Sequence, residues 1–200
     1  WEKDGFEIYI GSQSDEKFWE ELKPKIGGID ILLDDGGHTY DQQIITVENL
    51  LDTMNDNGLI VVEDTHTSYM KGFGPQKFSF INYVKEIIDR INFRFSLLYK
   101  THKDDRRIWS IEIVESMVAF KINKAAAEQV SVEVANEGKD NYDEDYRYND
   151  QNSIIFLKKL AEHFKLLKSI PLVSHLYRFV AGFIISLLTN LTFKSKKYFK

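Results

Sequence analysis

Two short acidic clusters, each ending in a histidine, contain the residues of this sequence that are best suited to carry out chemistry. The first is DDGGH at residues 34–38, and the second is EDTH at residues 63–66. Each cluster directly follows an apolar run of the kind that forms a buried parallel strand. Because ligands bind at the carboxyl ends of such strands, we expect both clusters to face one binding site.

Asp35, Glu63 and Asp64 together predict a site for one hard cation. Neighbouring strands lie about 4.8 Å apart, so carboxylates at adjacent strand ends can share an ion. All-oxygen ligation suits Mg²⁺ or Mn²⁺ with positions left open for water and substrate. His38 follows Asp35 by three residues, past two glycines that allow a tight turn. Its imidazole could take a proton from a hydroxyl whose pKa the cation lowers.

Each of these residues also has an ordinary structural explanation. The Asp34–Asp35 pair is typical of turns and helix N-caps, and the Glu63–Asp64 pair could simply be solvated. Only their combination at adjacent strand ends favours a site. His66 is equally consistent with a substrate contact, a group behind the site or a surface residue. Tyr40 and Tyr69 fit either pocket walls or ordinary packing.

The apolar patterns predict the elements that position the two clusters. In chain order we expect a strand at 5–10, a helix that begins near Glu16 with Ser14 or Asp15 as its cap and is ended by Pro24 and Gly27–Gly28, a strand at 29–33, a helix from about 40 to 54, a strand at 59–62, a helix at 78–91 and a hairpin of strands at 108–114 and 117–122. The strand–helix–strand succession implies a parallel sheet, and the hairpin adds antiparallel strands.

Residues 123–200 differ from the rest of the chain in their composition. Residues 123–152 are polar and acidic, which predicts a solvated linker. Residues 153–200 predict two helices, the second from about His175 to Leu191. The apolar stretch 179–188 is shorter than the roughly 20 residues that span a bilayer. We expect this helix to dock on the domain or on a second subunit, with an interfacial membrane helix as the alternative.

Composition and charge narrow the function classes. The sequence contains no cysteine, which excludes disulfides and thiolate metal sites and fits a cytoplasmic protein. Residues 151–200 carry nine Lys or Arg against the single acid Glu162, which gives this segment a charge of +8. Because the net charge of the chain is −5, the first 150 residues carry −13. An acidic body argues against nucleic-acid binding. The basic tail could contact a membrane or an acidic partner.

At these residues the chain resembles the metal-dependent class I S-adenosylmethionine O-methyltransferases of the macrocin and mycinamicin type, which act on sugar hydroxyls. The similar stretches are residues 8–15, 29–38, 42–43 and 57–69, and the strands at 110–121 resemble the hairpin that closes the family's sheet. The resemblance covers roughly residues 5–122. It implies a Rossmann-like α/β sheet that is mostly parallel, with a C-terminal antiparallel hairpin and C-terminal helices.

Position by position, the resemblance implies that Asp35, Glu63 and Asp64 bind Mg²⁺ or Mn²⁺ and that His38 is the general base. The implied reaction is in-line methyl transfer from S-adenosylmethionine to a saccharide or other small-molecule hydroxyl. The implied cofactor contacts are Ser12, Gln13, Ser14 and Asp34, with Ser12 standing where the family usually has an acid.

The family's first strand, its glycine-rich turn and the acidic end of its second strand have no counterpart before Gly5. We therefore expect a fragment of a longer enzyme: a partial methyltransferase domain at 1–122, a linker at 123–152 and a basic helical segment at 153–200. The alternative is a non-catalytic remnant that binds a partner or a membrane. A metal-dependent hydroxylase is a further alternative, but the two-histidine, one-carboxylate iron triad is not evident.

Overall fold

The computed structural model describes residues 2–92, 107–129, 152, 154–156, 159, 171–192 and 194–199. The chain divides into two compact units, Trp1–Val134 and Ala135–Lys200. The first unit carries both acidic clusters. The second carries the basic C-terminal segment.

In its described part, the first unit has four helices and four strands. The helices are α1 (Glu16–Ile26), α2 (Tyr40–Leu50), α3 (Phe80–Asn92) and α4 (Lys124–Glu128). The strands are β1 (Ile29–Asp34), β2 (Met54–Val62), β3 (Ile108–Val114) and β4 (Met117–Ile122). Short 3-10 turns occupy Glu2–Asp4, Leu51–Thr53, Thr65–Tyr69 and Gln76–Phe78.

The four strands form one mixed sheet in the order β1-β2-β4-β3. β1 and β2 are parallel, and their register pairs Asp34 with Val62. β4 is antiparallel to both of its neighbours. The predicted α/β class with a C-terminal antiparallel hairpin is confirmed, and the register brings the ends of β1 and β2 to the same edge of the sheet.

Local hydrogen bonds explain where the two helices next to the site begin. The Asp15 carboxylate caps α1 by accepting from the Lys17 amide at 3.0 Å. Thr39 and Gln42 form a reciprocal capping box at the start of α2. Such caps satisfy backbone donors that the first helical turn leaves unpaired.

One face of the sheet carries the core. Ile60 and Val62 of β2 pack with Phe120 of β4 and with side chains of α2 and α3, and a smaller cluster joins α1 to α2 through Trp19 and Leu50. On β1 the side chains that point to the opposite face, Ile31 and Leu33, are exposed. The apolar run of β1 predicted that this strand is buried on both faces of the sheet. For the described residues this is wrong, because α1, α2 and α3 all pack on the same face of the sheet.

Two predicted boundaries also differ from the structure. Residues 6–10 do not form the expected strand, because in the described chain no strand pairs with them, and the Phe6 and Ile10 side chains are exposed. β2 begins at Met54 instead of Leu59, since Ile29 of β1 already pairs with Met54 across a register shift.

The second unit contains α5 (Pro171–Thr192) and a 3-10 turn at Lys194–Tyr198. α5 matches the predicted second C-terminal helix. Among the described helices, none is both long and apolar enough to span a membrane. α4 lies inside the segment predicted as a linker, and residues 93–106 and 130–151 are outside the described residues, so the predicted domain limits remain predictions.

Candidate active site

The ends of β1 and β2 are joined directly by a backbone hydrogen bond. The Glu63 amide donates to the Asp34 carbonyl at 2.9 Å, continuing the parallel ladder by one step. The two acidic clusters therefore leave the sheet side by side, as the sequence predicts.

Asp35, His38 and Asp64 meet at this edge. Each offers one ligand atom, and these atoms all lie within 4.8 Å of one another. His38 Nε2 lies 3.5 Å from an Asp64 carboxylate oxygen and 3.8 Å from an Asp35 carboxylate oxygen. The side chains of Asp35 and Asp64 are 61% and 45% exposed, so water, an ion or a substrate can reach them. This arrangement fits a hard cation held by two carboxylates with an imidazole beside it.

Glu63, the third predicted metal ligand, is not a member of that three-residue group. Its backbone is nevertheless fixed from two sides. Its amide bonds to β1, and its carbonyl accepts from the buried Gln43 side chain at 2.9 Å. Its role as a ligand remains a prediction.

Three residues at this edge have left-handed backbone conformations. His38, Asp64 and Ser116 have φ of 57°, 54° and 63°, and in the described part of the chain only Asn57 is a further non-glycine residue with positive φ. This conformation costs about 1–2 kcal/mol per residue for side chains other than glycine. Strained residues of this kind concentrate at functional sites, where the surrounding structure holds them.

The buried Thr67 holds two of these residues. Its hydroxyl lies 3.1 Å from the His38 carbonyl and 2.9 Å from the Asp64 carbonyl, within hydrogen-bond distance of both. The Thr67 amide also donates to the Asp64 carbonyl at 3.0 Å. Thr67 therefore couples the turn that carries His38 to the turn that carries Asp64.

Tyr40 supports the same region from α2. Its ring is buried, and its hydroxyl lies 3.0–3.3 Å from the carbonyls of Thr67, Ser68 and Met70. Of the two roles considered for Tyr40, packing beneath the site is the one the structure supports. Tyr69 is instead exposed, as the last residue of the 3-10 turn at Thr65–Tyr69.

The second histidine reaches the site through a residue that sequence reasoning missed. His66 Nδ1 lies 2.5 Å from the Ser116 hydroxyl, and that hydroxyl is 3.5 Å from an Asp64 carboxylate oxygen. His66 Nδ1 is itself 3.7 Å from the same Asp64 oxygen. Ser116 belongs to the predicted hairpin turn, but only the pairing of β4 with β2 brings that turn to Asp64.

The predicted cofactor turn is attached to the first acidic cluster by Gln13. Its side-chain amide donates to the Asp34 carboxylate at 2.7 Å, and its carbonyl accepts from the Gly37 amide at 2.9 Å. The amide nitrogen and the carbonyl oxygen of the Gln13 side chain are thus both hydrogen-bonded within the protein. Ser12 and Ser14 are exposed, and the Ser12 hydroxyl accepts from the Ser14 amide at 3.3 Å.

Asp34 is buried and is not a member of the group formed by Asp35, His38 and Asp64. One of its carboxylate oxygens, Oδ2, has no hydrogen-bond partner. Burial raises the pKa of this carboxyl above its ordinary value of 3.8, although the hydrogen bond from Gln13 opposes the rise. The role of Asp34 as a cofactor contact remains a prediction.

The two glycines of the first cluster allow neighbouring side chains to approach the backbone closely, and neither adopts a left-handed conformation. A Cβ on Gly36 would overlap the Gln13 side chain, and a Cβ on Gly37 would overlap the Gln42 side chain. Neither glycine has a positive φ, and the left-handed residue of this turn is His38 itself. The expectation that the two glycines allow a tight turn stays a prediction.

No protein-family model matches the chain. Among curated proteins it is similar to 8-demethyl-8-alpha-L-rhamnosyl tetracenomycin-C 2'-O-methyltransferase from Streptomyces olivaceus, with 39% identity over 64 residues, covering 32% of this chain and 17% of that protein. It is also similar to mycinamicin VI 2''-O-methyltransferase from Micromonospora griseorubida, with 33% identity over 87 residues, covering 40% of this chain and 22% of that protein.

Among solved structures the chain resembles the MycE methyltransferase from the mycinamycin biosynthetic pathway in complex with Mg, SAH and mycinamycin VI. The TM-score is 0.58 at 22% identity, covering 68% of this chain and 36% of that one. This likeness establishes a fold shared with a methyltransferase. The predicted resemblance to sugar O-methyltransferases is confirmed over the matched stretches, which span less than a quarter of each curated relative's length.

Proposed function

We propose that this chain carries the metal-binding and general-base part of an S-adenosylmethionine-dependent O-methyltransferase that acts on a sugar hydroxyl. The observation that carries the proposal is the convergence of Asp35, His38 and Asp64 within 4.8 Å at the end of a parallel strand pair. The relatives' names and the shared fold support the reaction class.

Asp35 and Asp64 would hold Mg²⁺ or Mn²⁺, with Glu63 as the further proposed ligand. The donor set fits such an ion because it offers carboxylate oxygens that remain open to solvent. When bound, the ion would lower the pKa of an acceptor hydroxyl and offset the negative charge that develops on its oxygen. Protein side chains would carry out the proton transfer.

His38 would act as the general base through Nε2, the ring nitrogen that faces the two carboxylates. As the acceptor oxygen attacks the methyl carbon, the new C–O bond forms and the C–S bond breaks. The electron pair of the C–S bond stays on sulfur, which becomes a thioether, and His38 takes the hydroxyl proton. Thr67 would keep the base and Asp64 at a fixed separation during this step.

For the cofactor, Ser12 and Ser14 are the proposed contacts with exposed hydroxyls. Gln13 and Asp34 are engaged with each other, so their proposed contribution is to fix the position of the serine turn. The proposed acceptor is a saccharide or a glycosylated small molecule. The exposed Tyr69 ring, in the same 3-10 turn as His66, is a surface on which a sugar could stack.

Metal binding by the full chain tests the proposal without depending on turnover. Titration with Mn²⁺, followed by electron paramagnetic resonance, is expected to give a single site that Asp35→Asn and Asp64→Asn each weaken at least tenfold. Glu86→Gln, which removes an exposed carboxylate from α3, is the matched control and should leave the affinity unchanged. Equal binding by all four proteins would refute the assignment.

A methyl-transfer assay with radiolabelled S-adenosylmethionine and a panel of glycosylated acceptors tests the reaction itself. Metal-dependent labelling of an acceptor supports the proposal. Tight metal binding with no cofactor binding in calorimetry would instead favour the non-catalytic alternative for this chain.

A further inference from the structure

The second unit exposes an apolar stripe along α5, which the exposed Asn190 interrupts near its C-terminal end. Phe179, Phe183, Leu187 and Leu191 follow one another at four-residue steps, and their side chains are 74%, 65%, 50% and 74% exposed. A step of four residues advances about 40° around a helix, so these four side chains lie within about 120° of one another. Val180, also exposed, falls in the same sector. The stripe is an exposed apolar surface along about three turns of helix.

Positive charge follows the stripe directly. Lys194, Lys196 and Lys197 lie in the 3-10 turn after α5, and residues 171–200 contain no Asp or Glu. Tyr198 and Phe199 are exposed at the same end. An exposed apolar stripe with adjacent lysines and terminal aromatic rings suits the interface of an anionic bilayer.

We propose that α5 binds the surface of an anionic lipid bilayer. It would lie in the plane of the interface, with the stripe defined above toward the acyl chains and the lysines of the 3-10 turn among the anionic headgroups. Among the described helices, none combines the length and the hydropathy of a spanning helix. This inference is independent of the proposed methyl transfer.

The charge of the C-terminal segment favours a lipid surface over a second copy of the chain as the partner that covers the stripe. Pairing two α5 helices through their stripes would bring together two segments that each carry nine basic residues and one acid over residues 151–200. Like charges at short range oppose that pairing. An anionic bilayer satisfies the apolar stripe and the lysines at the same time.

Co-sedimentation of the full chain with lipid vesicles tests the proposal. The protein should sediment with vesicles of phosphatidylcholine and phosphatidylglycerol, and at least tenfold less with phosphatidylcholine alone. Binding to the anionic vesicles should fall as salt is raised from 50 to 500 mM, because salt screens the headgroup charge.

Two variants separate the apolar from the ionic contribution. Phe183→Glu with Leu187→Glu should reduce vesicle binding at least tenfold, and replacing Lys194, Lys196 and Lys197 by Gln should remove most of the salt dependence. Ile10→Glu alters an exposed apolar residue of the first unit and is the control that should bind like the parent protein. Circular dichroism on each variant establishes that α5 is still helical.

Three results would overturn the proposal. The first is no sedimentation with anionic vesicles, and the second is equal sedimentation of the parent and the Phe183→Glu, Leu187→Glu variant. The third is a stable dimer in light scattering that this same variant dissociates while vesicle binding is absent, which would assign the stripe to a second copy of the chain.

Discussion

The His38 imidazole lies 3.5 Å from the Asp64 carboxylate, although the two residues follow different strands. Two features produce this approach. The parallel register sets the ends of β1 and β2 side by side, and the Thr67 hydroxyl lies against the backbone carbonyls of both residues. These contacts hold the backbone of the two turns that carry the His38 and Asp64 side chains.

Removing the His38 imidazole should separate catalysis from metal binding. His38→Ala is expected to lower methyl transfer by about 10²–10⁴-fold, the range typical of a lost general base. Mn²⁺ affinity should stay nearly unchanged, because the carboxylates of Asp35 and Asp64 remain. Parallel turnover and Mn²⁺ titrations measure both effects. A large loss of affinity would make His38 a metal ligand, and unchanged turnover would refute its role as the base.

The Thr67 hydroxyl can be removed at nearly constant volume. Thr67→Val should destabilise the protein by about 1–2 kcal/mol, because a buried hydroxyl that satisfies backbone carbonyls is lost. It should also weaken Mn²⁺ binding, because the turn that carries the ligand Asp64 loses the hydrogen bond from the Thr67 hydroxyl. Thr67→Ser keeps the hydroxyl and is the matched comparison. Urea unfolding gives the stability, and the two variants behaving alike would contradict the coupling.

Ser116 offers a test in which stability and affinity should move in opposite directions. Its left-handed backbone favours glycine, so Ser116→Gly should relieve about 1 kcal/mol of strain in the hairpin turn. The same change removes the hydroxyl between His66 and Asp64 and should weaken metal binding severalfold. Thermal unfolding and Mn²⁺ titration on one protein preparation would detect both. A gain in stability with unaltered affinity would show that this hydroxyl does not position Asp64.

Asp34 predicts a specific pH dependence of stability for the metal-free protein. Burial raises the pKa of this carboxyl in the folded state, so the unfolded chain releases the proton first as the pH increases. The contribution of Asp34 to the free energy of unfolding should therefore fall as the pH rises from about 3.8 through the higher pKa of the folded state, and then level off.

Urea unfolding between pH 3.5 and 8, with EDTA present, measures this dependence. Asp34→Asn cannot ionise, so it should lose that part of the decline. Asp89→Asn, at an exposed position on α3, should keep it. A decline of the same size in the Asp34→Asn protein would assign the pH dependence to other groups.

The sequence predicted the elements of the first unit and the residues of the acidic group better than it predicted the contacts that hold them. The strands at 108–114 and 117–122 have the predicted limits because each is a regular apolar run with a turn between them. Asp35 and Asp64 converge as expected because adjacency in a parallel pair follows from the strand–helix–strand order.

What the sequence could not provide depends on sheet order and on side-chain approach. Ser116 reaches Asp64 only because β4 lies beside β2, and no local pattern encodes that neighbour. The left-handed conformation of His38 is imposed by its surroundings and runs against the preference of a non-glycine residue. The extended segment at 6–10 has the composition of a strand, but strand formation also requires a partner.

The position of β1 has a practical consequence for the handling of this protein. β1 is an edge strand of the described sheet, and its Ile31 and Leu33 side chains face solvent. Such an edge is a template for pairing with another chain, and natural proteins often interrupt it with a lysine. Concentrated samples should therefore associate edge to edge, and Ile31→Lys should improve colloidal stability.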